Sequence, residues 1–93
     1  MSKKEKISPG LDEDILTKDT EKHQIILYND DVNTFQHVIE TLVKFCKHTY
    51  QQAEQCAYIV HFSGKCSVKK GKFSYLEPLC LKLLQADLSA EIS

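Results

Sequence analysis

Three apolar stretches with a helical period, each preceded by a polar capping pair, restrict what this chain can fold into more than any other feature. From Thr34 onward, Phe35, Val38, Ile39, Leu42, Phe45 and Cys46 recur at intervals of three and four, so they share one helical face. Asn33 is the expected N-cap of that helix, and Gln36 three residues later completes a capping box. A second box, Thr49 with Gln52, opens the pattern Tyr50, Ala53, Ala57, Val60 and His61, which Gly64 is placed to end. A third, Ser74 with Glu77, precedes the face formed by Leu76, Leu79, Cys80, Leu83 and Leu84. Pro78 lies one position beyond the place a helix start best tolerates proline, so this boundary is expected to shift by up to a turn.

The segments between the helical patterns have a period of two or are short and β-branched. HQIILY ends in Asn-Asp-Asp and reads as a strand of six residues, His23 to Tyr28. Cys66 and Val68 alternate within a second strand from Lys65 to about Lys70, and Leu88, Ala90 and Ile92 alternate in a closing strand. The predicted order is β-α-α-β-α-β. It defines a small α+β two-layer sandwich, three helices packed on a three-stranded, mostly antiparallel sheet.

With 93 residues there is material for one modest core. Residues 1–22 hold five lysines, six acids and Ser8-Pro9-Gly10 among scattered aliphatics, too little apolar surface to offset ordering, and are expected to form a flexible tail ahead of a domain at 23–93. Twelve basic against thirteen acidic residues give no electrostatic footprint for nucleic acid. The lysines at the start have no apolar stretch behind them and no run reaches membrane-spanning length. A cytoplasmic protein with reduced thiols is expected, without membrane or nucleic-acid partners. Cys46, Cys56, Cys66 and Cys80 are ten or more residues apart and lack zinc-ligand spacing, so no metal or other cofactor is expected.

No nucleophile elbow, zinc-protease motif or phosphate loop occurs, which leaves no catalytic candidate. The adjacent acids at the end of the first strand are a solvated turn or a site for a cation, because burying two carboxylates without a partner is costly. Ala57 and His61, four residues apart, place a small residue beside a polar one on the same helical face.

At these residues the chain resembles the ClpS adaptors of the AAA+ Clp proteases. The resemblance runs from about Gln24 to Ile92 and rests on LYNDD, an amphipathic helix, and AYIVHFSGKC some thirty residues on. It implies a non-enzymatic, monomeric adaptor. Such an adaptor binds proteins with a bulky hydrophobic first residue (N-degrons) and delivers them to a Clp unfoldase of the ClpA or ClpC type. By the same resemblance, Asn29, Asp30, Asp31 and His61 surround the free α-amino group, with Asp30 acting directly or by holding the turn. An α-ammonium is a cation with three donors, so a carboxylate plus neutral acceptors suits it.

The first side chain would enter a pocket lined by Tyr28, Asn33, Phe35, Val38, His48, Ala57 and Leu88. Better-known members are expected to carry Thr in place of Asn33 and Met in place of Phe35, His48 and Ala57. Pocket shape is therefore expected to differ, and the tail is expected to engage the unfoldase. An alternative from another class is a structural module of a larger assembly, related in fold to the carboxy-terminal domain of the ribosomal stalk protein. That reading predicts a surface without a first-residue pocket, and fold alone does not separate the two.

Overall fold

A computed structural model describes residues 22–93, so the predicted tail lies outside the described residues except for Lys22, which opens the first strand. The elements are β1 (Lys22–Tyr28), α1 (Phe35–Cys46), α2 (Tyr50–Ser63), β2 (Lys65–Lys72), α3 (Phe73–Gln85) and β3 (Ser89–Ile92). This is the predicted order, with both sheet pairings antiparallel and β1 in the middle of β2-β1-β3. The far end of the sheet is closed by a reciprocal pair of bonds, Gln24 N–H to Ser93 O at 3.3 Å and Ser93 N–H to Gln24 O at 2.7 Å.

The core forms where the helical faces meet the inward residues of the sheet. Ile39, Leu42 and Cys46 of α1, Ala53, Ala57 and Val60 of α2, and Leu76, Cys80 and Leu83 of α3 pack on Ile25, Leu27, Val68 and Leu88. Burying one such leucine or isoleucine stabilises the fold by about 1.5–3 kcal/mol. The predicted faces are wider than the buried ones. Tyr50 and His61 of α2, Leu84 of α3 and Phe35 at the start of α1 are exposed.

The helix ends show where local chemistry decides and where it is overruled. α2 is capped as predicted: Thr49 Oγ1 accepts from Gln52 N–H at 3.1 Å, and Gln52 Oε1 accepts from Thr49 N–H at 2.9 Å. It ends at Gly64, whose φ of 93° is one that a side chain would strain. α1 is capped by Thr34 rather than Asn33: Thr34 Oγ1 accepts from His37 N–H at 3.1 Å, while Gln36 donates to Glu40 instead of closing a box. α3 starts at Phe73, directly after β2, so Lys72 occupies the N-cap position without a side-chain cap and Ser74 is already helical. Pro78 consequently lies inside α3, where it cannot donate to the preceding turn. At the strand-to-helix junction a Cβ on Gly71 would lie 3.1 Å from the Tyr75 ring, which would have to give by a few tenths of an ångström.

β1 and β2 do not pair evenly. Ile25 faces Lys69 and Ile26 faces Ser67, so Val68 is an extra residue in β2, a β-bulge. The bulge breaks the simple alternation from Cys66 onward. Lys69 thereby stands opposite buried Ile25, on the helix side of the sheet, and its Nζ donates to Cys46 O at the end of α1 at 3.1 Å.

Cys46 and Cys80 are buried, and Cys56 and Cys66 are half-buried against the core. Burial, and next the hydrogen bond and charge of neighbouring Cys66, push the Cys56 thiol up to about 12.

Candidate functional site

The end of β1 is tied to the end of α2 by the main chain: Asn29 N–H donates to Gly64 O at 2.9 Å. This bond depends on the left-handed turn at Gly64, and it holds the Asn-Asp-Asp segment beside the last turn of α2, where His61 sits. A cavity of about 350 Å³ opens between these elements.

Its floor is the core itself. Leu27 of β1, Ala57 and Val60 of α2, and Leu88 ahead of β3 are almost fully buried there, and half-buried Val38 of α1 completes the apolar wall. Phe35 stands at the edge, its ring perpendicular to both Tyr58 (centroids 5.1 Å apart) and His61 (5.2 Å). Asn29 and Asp31 at the mouth are exposed. Asp31 has no hydrogen bond or ion pair among the described residues. The mouth thus has a free carboxylate, an amide and an imidazole over an apolar pit. That combination suits a ligand with a cationic head and an apolar side chain.

Asp30 has a different task. Its Oδ1 accepts from Val32 N–H (3.0 Å), Asn33 N–H (2.9 Å) and Asn33 Nδ2 (3.1 Å), and Oδ2 accepts from Asn33 Nδ2 (2.9 Å). Partial burial pushes this carboxyl up. The hydrogen bonds from the Asn33 backbone and side chain, the Val32 N–H and the Ser89 hydroxyl outweigh that and hold it below its ordinary value. These bonds make Asp30 a brace of the turn at the cavity mouth. Asn33 is the other half of the brace, since its amide also reaches across to Asp87 O at 2.8 Å. This is why Asn33 does not cap α1. Asp87 presents that carbonyl from a left-handed conformation, φ 70°.

The cavity gathers ten of the eleven residues expected to form the site and leaves out His48. α1 ends in a left-handed turn at Lys47, φ 59°, after which the His48 ring runs under β2 and bonds Val68 O through Nε2 at 2.6 Å. His48 is therefore no rim residue of this cavity. Tyr28 lines the cavity, but its hydroxyl donates to Glu91 Oε2 at 2.6 Å. That hydrogen bond is the chief reason its phenol is pushed above the ordinary value.

Residues 18–91 match the family described as ATP-dependent Clp protease adaptor protein ClpS. The chain belongs to the ClpS family. It is 34% identical over 68 residues to the ClpS adapter of Nitratidesulfovibrio vulgaris, covering 67% of this chain and 65% of that protein, about two thirds of its length. To the ClpS adapter of Thermosynechococcus vestitus it is 31% identical over 84 residues, 89% of each. Its fold is similar to that of Agrobacterium tumefaciens ClpS2, solved bound to L-phenylalaninamide. The TM-score is 0.66 at 15% identity, with 78% of this chain and 95% of that chain covered. ClpS is an adaptor family rather than a protease, and membership does not favour the alternative of a structural module. Among the described residues no helix is long and apolar enough to cross a membrane.

Two residues of the ClpS cavity, Leu27 and Val60, were not among those expected. Each has a signal in the sequence: Val60 lies three residues from Ala57 and so on the same helical face, and Leu27 precedes Tyr28 at the strand end. Both read equally well as plain core, which they also are.

Proposed function

We propose that this chain is a non-enzymatic adaptor that captures proteins by a free, bulky hydrophobic first residue and passes them to a Clp AAA+ unfoldase of the ClpA or ClpC type. The α-ammonium would sit at the mouth, with the Asp31 carboxylate supplying the charge and Asn29 and His61 neutral acceptors for its remaining donors. The side chain would descend onto Ala57, Val60, Val38 and Leu88, exchanging water for apolar contact. Asp30 and Asn33 keep the acceptors in place and touch no ligand in this reading. One observation carries it: free polar acceptors stand directly over a buried apolar floor in a single cavity. The compound bound to the Agrobacterium ClpS2 structure, a free amine on an aromatic amino acid, belongs to the same chemical class.

In this proposal the adaptor works as a monomer in the cytoplasm, and the segment ahead of the core domain engages the unfoldase. Fluorescence anisotropy with ten-residue peptides differing only in their first residue tests the capture step. Peptides starting with Leu, Phe, Tyr or Trp are expected to bind, and those starting with Ser or Glu are not. Equal, weak binding of all of them would remove the pocket from the function. Deleting residues 1–21 is expected to leave that binding unchanged while degradation of a Leu-starting reporter falls sharply in a reconstituted reaction.

A further inference from the structure

Four rings run from the cavity out onto the surface. Phe35 and His61 line the cavity, and Tyr58 and Phe62 lie beyond its lining. The Phe35 ring meets Tyr58 and His61 edge-on at 5.1 and 5.2 Å, and His61 meets Phe62 edge-on at 4.9 Å. Tyr58 and Phe62 are stacked, with centroids 6.1 Å apart and planes 6° from parallel. They are four residues apart in α2 and so share a face, turned by one residue from the Ala57 and His61 face that closes the cavity. Neither belongs to the buried core. Single exposed apolar residues are ordinary, but this pair is continuous with a cavity, and Phe62 leaves 76% of its surface and Tyr58 48% in water.

The stereochemistry of a captured first residue says what reaches this surface. Its Cα carries three heavy substituents. With the amine at the mouth and the side chain in the pit, the third, the carbonyl carbon, points out of the mouth and carries the second residue. An extended residue advances only about 3.3 Å, so the second side chain lands on the rim. The Asp30–Asn33 turn offers that side chain one apolar group, Val32, among two acids and an amide. The ring cluster offers two stacked aromatic side chains beside Phe35 and His61. Aromatic pairs gain more than their buried area alone supplies, so the surface suits a ring better than an aliphatic chain.

We infer that Tyr58 and Phe62 form a second subsite, which reads the side chain of the substrate's second residue and favours an aromatic one. This rests on the capture reading given above, in which the first residue fills the cavity.

Anisotropy on the full-length protein compares ten-residue peptides that begin Leu-Phe, Leu-Trp, Leu-Gly or Ser-Phe and are otherwise identical. Leu-Phe and Leu-Trp are expected to bind about fivefold tighter than Leu-Gly, the size of one aromatic contact, and Ser-Phe is expected not to bind. Phe62→Ala is expected to bring the ratio of Leu-Phe to Leu-Gly affinity to about one, and Phe62→Tyr, which keeps the ring, to retain it. Phe62 also touches the His61 ring, but a loss of amine reading through that contact lowers both Leu peptides alike and leaves their ratio unchanged. A ratio near one on the wild type, with both Leu peptides far tighter than Ser-Phe, would overturn the second subsite and leave capture of the first residue standing. Ser-Phe binding as tightly as Leu-Phe would overturn the capture reading and the second subsite with it. A preference that survives Phe62→Ala would also overturn the subsite: its loss in Val32→Ser would move the contact to the turn, and loss of self-association in sedimentation of Phe62→Ala would make the rings a contact between copies.

Discussion

The Phe35 ring stands edge-on to the His61 imidazole, with centroids 5.2 Å apart and planes at 88°. Phe62 also meets this imidazole edge-on, at 4.9 Å and 82°. An exposed histidine on the last turn of a helix would otherwise sample several rotamers, so these contacts decide where its ring nitrogens point.

Phe35→Ala should therefore weaken capture without unfolding the domain. One edge-to-face contact is worth about 0.5–1.5 kcal/mol, and loss of the cavity edge adds to it. Anisotropy with a Leu-starting peptide is expected to show at least a fivefold drop, with circular dichroism unchanged. An unaltered affinity would mean that His61 is not oriented by Phe35.

Ala57→Met fills the cavity floor. Ala57 is 2% exposed, so the added side chain must push into either the core or the pit, at a typical cost of about 1–3 kcal/mol. The ratio of Trp-starting to Leu-starting peptide affinity is expected to fall. A constant ratio would place Ala57 away from the bound side chain.

Asp30→Ala removes the acceptor for two backbone N–H groups and the Asn33 amide. It is expected to cost about 1–3 kcal/mol of unfolding free energy, as charge-assisted bonds do when one partner is lost. The pH dependence has a definite sign. The folded carboxyl is held below its unfolded value of about 3.9, so its contribution is complete above that pH and fades as pH falls through the folded value. Urea melts from pH 6 to pH 2 should show the wild type losing part of its advantage over Asp30→Ala only below about pH 4. An advantage that grew on acidification would contradict the brace.

Cys56 should be inert. With its thiol near 12, about one molecule in 10⁴ is thiolate at pH 8, and the side chain is half-buried as well. Iodoacetamide at pH 8 is expected to leave Cys56 unmodified in peptide maps under conditions that fully label it in urea. Rapid native labelling would contradict the packing of α2 on β2.

What could be read from the sequence follows from how local the deciding chemistry is. Both ends of α2 depend on residues within one turn, Thr49 with Gln52 and Gly64 with Val60, and they were predicted to the residue. The start of α1 slipped by one because the Asn33 amide is taken by Asp30 and by Asp87 O, 54 residues away, which no window around Asn33 contains. Most of the cavity was legible because eight of its twelve residues come from two segments that carry a family pattern, LYNDD and AYIVHFSGKC. His48 was misplaced for a long-range reason: the bulge that makes Val68 O available arises from the register of β1 against β2, twenty residues on. Ser74 and Glu77 formed a capping pattern that went unused because β2 runs into α3 with no loop between them.

In the proposed function the mouth of the cavity reads a free amine. The most direct measurement compares one Leu-starting peptide with its N-acetylated form, by anisotropy, on the wild type and on Asp31→Ala. Acetylation removes the charge and crowds the acceptors, and Asp31→Ala removes the charge they share it with, a loss of about 2 kcal/mol or more. The free peptide is expected to bind the wild type, the acetylated one not to bind measurably, and Asp31→Ala to lose most of the difference. Binding of the acetylated peptide within threefold of the free one would contradict it.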